Sequence, residues 1–164
     1  MWSLLASGAP AAPSWRFTCT SLAASALAIG VCAWLSQQSG APWLMAPFGA
    51  SCVLAFGLPD SPLAQPRALL GGHLITSAVG LLLLAWLGDA WWSQALAVGL
   101  ALAAMQRARA VHAPAGANPL VVMQAHPGVE FLLTPTLLGA LVIVAAAWLV
   151  NNRRARGSYP RYWW

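Results

Sequence analysis

The side chains able to do chemistry in this sequence are few, and most of them interrupt apolar stretches. Ser51, His73, His112 and Asn118 each stand among Ala, Leu, Val, Gly and Pro. A histidine titrates near physiological pH, so it can donate a hydrogen bond to an anion or carry a proton. An ionisable side chain within an apolar span is a functional candidate by default. His73 is such a residue, directly after Gly71 and Gly72. His112 lies near one end of a second apolar stretch, where it can cap, pack or gate, and His126 lies near the other end. No Cys or Asp stands beside any of the three in sequence, so a metal site is not expected. Cys19, Cys32 and Cys52 share no CxxC spacing and read as small packing residues, with neither a disulfide nor a zinc site.

Enzymatic chemistry finds little support. The chain offers no pair of carboxylates within an apolar span. It has no lysine, and hence no phosphate-binding glycine loop of the lysine-bearing kind. Ser51 has no base identifiable in sequence, and its spacing to His73 or His112 does not argue for a Ser/His protease. We therefore expect no catalytic residues, no metal and no cofactor.

Backbone donors are a second source of chemistry. Ala46-Pro47-Phe48-Gly49-Ala50-Ser51 aligns with Ala113-Pro114-Ala115-Gly116-Ala117-Asn118, and an apolar run follows each. Proline pushes its predecessor out of helix and glycine permits unwinding. A helix that restarts after such a break exposes free N–H groups, which lipid cannot satisfy. Their partial positive charge favours an anion. The candidate substrate-binding set is thus Gly49, Ala50, Ser51, His73, Gly116, Ala117 and Asn118. Gln65, Arg67 and His112 are candidates for a gate or inner vestibule. The competing reading is that proline and glycine merely kink two helices and let them pack closely.

These residues must be positioned by membrane helices. Of 164 residues, 60% are hydrophobic and 7% charged, where a soluble domain is nearer a quarter charged. Segments 17–36, 68–88 and 131–150 are long and apolar enough to span; 90–106 is slightly short, and 42–58 and 110–126 are weaker. All eight basic residues are arginines. With the N-terminus inside and six crossings, every arginine falls in 1–16, 59–67, 107–109 or 151–164, all on the inner side. If 42–58 were re-entrant instead, Arg67 would move outside, so six crossings is the better reading. Helix, broken helix, helix then occurs twice, and three crossings per unit invert the second copy, as in many transporters. The expected fold is an all-α membrane protein of two inverted three-helix repeats. Its parts are an N-terminal arm (1–16, without a signal peptide), repeat 1 (17–88), repeat 2 (89–150) and a basic cytoplasmic tail (151–164). Arg153, Arg154 and Arg156 are placed to meet anionic lipid headgroups. The pI near 10.1 points to this topogenic charge, not to nucleic acid, because no basic face interleaved with exposed aromatics remains. The lysine-free, Ala- and Arg-rich composition suggests a bacterial inner membrane.

At these residues the chain resembles the HPP family of integral membrane proteins. The matching strings are Pro47-Phe48-Gly49-Ala50-Ser51, Ser61 to Arg67, Gly71-Gly72-His73, His112 to Pro119, and Asn151-Asn152. The resemblance covers about 40–160. One departure stands out: Ala113 replaces the first proline of the His-Pro-Pro string that names the family. Family descriptions often count four helices, against the six favoured by the arginines. Plant plastid members are associated with nitrite transport, so the resemblance implies a transporter or channel for a small anion such as nitrite. The expected partners are that anion and membrane lipid, with a homo-oligomer left open. The alternative is a non-transporting membrane scaffold or subunit.

Overall fold

The computed structural model describes residues 10–163. Most of the expected N-terminal arm (1–9) and Trp164 lie outside the described residues. Six α-helices and no strands occur among the described residues: α1 (Trp15–Ser39), α2 (Pro47–Cys52), α3 (Pro66–Leu87), α4 (Trp91–Arg107), α5 (Asn118–Ala125) and α6 (Leu138–Arg154). α2 runs on without interruption into a π-helical turn, Val53–Gly57. A 3-10 segment, Ala113–Ala117, leads into α5, and 3-10 and π segments covering Val129–Leu137 lead into α6.

Three stretches are long and apolar enough to cross a membrane: Trp15–Ser39, Pro66–Leu87 and Val129–Arg154. They coincide with the three strongest spans expected from sequence. α4 has 17 residues, or about 25 Å of helix, a little under a hydrocarbon core of roughly 30 Å. Leu22, Leu27, Val53, Leu82, Leu100 and Leu141 point outward into what water would not tolerate as one continuous surface. Gly40, in the left-handed region at φ 68°, stops α1.

α3 is the hub, packed against α4, α5 and α6, while α1 lies along α6. Phe48, Phe56, Leu69, Val122 and Ile143 form the main core with small residues such as Ala28, Ala140 and Ala147. Small residues let backbones approach, as membrane bundles require. A Cβ on Gly80 would lie 2.9 Å from the Cα of Pro119, and one on Gly139 would collide with the Phe48 ring and the Trp43 carbonyl.

The C-terminal end of the second element shows how its orphan carbonyls are satisfied. The Ala55 carbonyl accepts from Asn151 Nδ2 at 2.9 Å. The Phe56 carbonyl accepts from Ser21 Oγ at 2.9 Å and from an Arg154 guanidinium nitrogen at 2.8 Å. Lipid could not supply these donors, and a cation there also complements the helix dipole.

Two local expectations need correction. The chain is not broken at 47–51: it is non-helical through 41–45, and Pro47 opens the helix. Proline has no N–H to lose and a φ already suited to the first turn, so it starts helices more readily than it splits them. The second correction concerns 151–164. Residues 151–154 complete α6, and the rest folds back beneath the 59–66 loop. Tyr159 is buried and donates its hydroxyl to the Ala64 carbonyl at 2.8 Å.

Candidate functional site

Ser51 is the fifth residue of α2, and the helix directs it inward beside Phe48 and Cys52 while Gly49 and Ala50 face out. Its Oγ lies 2.9 Å from His73 Nε2 and 2.8 Å from His112 Nε2. His73 is carried by α3, and its Nδ1 meets the Asn118 amide nitrogen at 3.0 Å. That amide nitrogen also lies 3.0 Å from Ser77 Oγ and 3.2 Å from the His73 carbonyl, so its two hydrogens are shared among three acceptors, and the amide oxygen lies 3.3 Å from Nδ1. Ser77 Oγ in turn lies 3.0 Å from Thr136 Oγ1 in the π turn before α6. Ser51, His73, Ser77, His112, Asn118 and Thr136 all have 0% exposure. The Phe48 and His73 rings pack almost at right angles, with centroids 5.2 Å apart.

Donor and acceptor roles along this chain follow from its fixed ends. His112 Nδ1 lies 2.6 Å from the Leu63 carbonyl, which can only accept. A neutral His112 therefore carries its proton on Nδ1 and accepts at Nε2. The single Ser51 proton then goes to His112 Nε2 at 2.8 Å in preference to the more distant Pro47 carbonyl at 3.2 Å, which leaves the Ser51 oxygen to accept from His73 Nε2–H. His73 Nδ1 is thereby an acceptor, which matches the Asn118 amide nitrogen beside it. The same amide nitrogen donates to a carbonyl, which fixes the orientation of the amide. The donors thus run in one direction, from Asn118 through His73 and Ser51 to His112 and Leu63.

The surrounding backbone holds the histidines together. A Cβ on Gly72 would lie 2.7 Å from the Cβ of His112 and 3.1 Å from the Ala110 carbonyl, so only glycine lets the 110–112 strand of chain lie on α3. Arg67 clamps the same segment, donating to the Ala108 carbonyl at 2.8 Å and the Arg109 carbonyl at 3.2 Å. Gln65 is buried, donates to the carbonyls of Pro59 and Ser61, and accepts from the Arg161 N–H at 2.8 Å. It orders the loop that supplies the Leu63 carbonyl.

Of the ten residues singled out in sequence, Ser51, His73, His112 and Asn118 meet at one point. Gln65 and Arg67 stand behind them as supports. Gly49, Ala50 and Ala117 are exposed, and Gly116 is partly so. The Gly49 N–H bonds to the Ala46 carbonyl, and the Asn118 N–H to the Ala115 carbonyl. The buried cluster itself is built from side chains. Asn118 opens α5 but makes no capping bond, and Ser51 is interior to its helix. Sequence reasoning also left Ser51 without a base, whereas two imidazoles flank it. It missed Ser77 and Thr136. Ser77 could have been found, since it follows His73 by four residues and shares its helix face.

The family model for the HPP transmembrane region matches residues 10–160. The chain belongs to the HPP family. With its apolar helices, membership makes this HPP chain a membrane protein. It is similar to two proteins of Dictyostelium discoideum named as transmembrane proteins. One is 40% identical over 129 residues, covering 74% of this chain and 45% of the relative. The other is 38% identical over 130 residues, covering 74% and 42%. The HPP chain therefore spans less than half the length of either relative. No solved structure matches it. The bacterial inner membrane expected from composition gains nothing from relatives in that organism. The Ala113 departure from the HPP string lies on an exposed position, while His112 and Pro114 on either side are buried. The substitution thus falls outside the hydrogen-bonded cluster.

Proposed function

We propose that this HPP protein carries a small monovalent anion, nitrite or a relative of it, across the membrane, and that the Ser51–His73–His112–Asn118 cluster binds it. One observation carries the reading: four hydrogen-bonding side chains from separate segments meet with no exposure inside an apolar helical protein. Polar groups are costly in such surroundings and are usually kept for function. An anion sheds its water only where other donors replace it, and neutral donors release it more readily than a buried arginine would. The Ser51 hydroxyl and His73 Nε2–H are the donors that would turn to the anion. The same reading takes six crossings with both termini cytoplasmic, and relates 17–88 to 91–150 as inverted repeats.

A second reading, a non-transporting scaffold, is favoured by a different observation. Among the described residues, every buried side-chain nitrogen and oxygen already has a partner. A fully satisfied network is also what a structural lock needs. Hydrolysis fits less well. Ser51 touches two candidate bases, but as the fifth residue of α2 it lies past the helix's free N–H groups. Its own helix therefore supplies no free backbone donor at Ser51 for an oxyanion. The discriminating experiment is uptake of nitrite, nitrate, formate and chloride by proteoliposomes, with and without a pH gradient. Flux of at least one above empty vesicles supports transport; no flux of any, from folded protein, favours the scaffold.

A further inference from the structure

Away from the cluster, a groove of about 500 Å³ opens between the start of α1 and the end of α6. That volume lies within the range of small-molecule sites, roughly 300–1,000 Å³. It is lined by Arg16, Arg153 and Arg154 together with the apolar Ala23, Leu27 and Val150. The three arginines are not equivalent. Arg154 is a structural member of the wall: it donates to Thr20, Ser21, Asn151 and the carbonyls of Phe17 and Phe56, and its guanidinium lies 4.1 Å from the Phe17 ring centre. Arg16 and Arg153 are exposed and make no hydrogen bond or ion pair with a described residue.

No acidic side chain among the described residues offsets this charge. Asp60 pairs with Arg161, Asp89 with His126, and the Glu130 carboxylate accepts from Gly128 N–H. Arg16 also sits in the first turn of a 25-residue helix, where the dipole is already positive and a cation is unfavourable unless an anion joins it. Trp15 and Trp148, both well exposed, flank this end as interfacial aromatics do. We propose that the groove is a binding site for one anionic phospholipid, its phosphate held by Arg16 and Arg153 and one acyl chain lying on Ala23, Leu27 and Val150. The arginines of the lining answer the headgroup, and its apolar residues favour a lipid over a free phosphate. The site is independent of the transport reading and would tie α1, which buries little of itself in the protein, to α6.

The test is native mass spectrometry of the full chain released from an uncharged detergent, after equal additions of phosphatidylglycerol and phosphatidylcholine. Wild type retains one phosphatidylglycerol in preference to phosphatidylcholine. Arg16→Ala/Arg153→Ala loses that preference by roughly twenty-five-fold, about fivefold per arginine. Arg107→Ala/Arg156→Ala removes equal charge elsewhere and keeps it. Leu27→Trp fills the groove without touching charge and weakens retention. Equal retention of the two lipids by wild type would overturn the proposal. So would equal losses in the two double variants, or displacement of phosphatidylglycerol by inorganic phosphate. Thermal unfolding of each variant within a few degrees of wild type keeps the comparison one of binding.

Discussion

Ser51 Oγ donates to His112 Nε2 across 2.8 Å, because the other nitrogen of that ring is already committed to the Leu63 carbonyl. The consequence is a fixed pair of tautomers. Nitrogen NMR of histidine-labelled protein at neutral pH should show His112 protonated on Nδ1 and His73 on Nε2. Both rings in the same tautomer would contradict the donor order derived from the geometry.

Gly72 is the contact point between α3 and the segment carrying His112. Gly72→Ala should destabilise the folded protein by about 1–3 kcal/mol, the usual cost of overpacking. Gly49→Ala is the control: nothing lies within 4 Å of its added Cβ, and it should be neutral or slightly stabilising. Thermal unfolding in detergent distinguishes them, and equal midpoints would remove the close-approach argument.

How much of this was legible in the sequence depends on the residue. His73, His112, Ser51 and Asn118 stood out because polar side chains are rare and costly in apolar segments. That they share one point was not legible, since it depends on how α2 and α5 rotate about their axes. Gly49 and Ala50 drew attention because a Pro-x-Gly string suggests a break, and only the structure shows Pro47 serving as the first helical residue. Thr136 carried no signal at all: threonines commonly bond to their own helix backbone, and this one reaches α3 only through the irregular turn before α6. The tail read as a charged appendage because its arginines are conspicuous and the burial of Tyr159 among Trp and Pro is not.

Tyr159 gives the tail a pH signature. Burial pushes its phenol well above the usual tyrosine range. The folded state therefore holds the proton that the unfolded state gives up near pH 10. Stability from this group is complete below about pH 10 and falls as pH rises toward the folded value. Tyr159→Phe should cost about 1–2 kcal/mol at neutral pH through the unsatisfied Ala64 carbonyl. It should also lose less stability than wild type between pH 10 and 11. Parallel alkaline profiles for the two proteins would rule out the buried phenol as the cause.

Topology can be tested without activity. Six crossings place the 60–66 loop inside and 127–129 outside. Reporter fusions at the two sites should give opposite answers, and the same side for both would end the six-crossing reading.

The central claim is that the buried cluster binds and passes a small anion. Nitrite uptake by proteoliposomes holding equal amounts of wild type, Ser51→Ala, His73→Ala and Asn118→Ala tests it most directly. Thermal unfolding should first establish that each variant is folded. The account predicts saturable wild-type uptake above empty vesicles, reduced about tenfold or more in each variant, roughly the loss of one buried hydrogen bond to a charged group. Wild-type rates in folded variants, or no uptake by folded wild type, would contradict it.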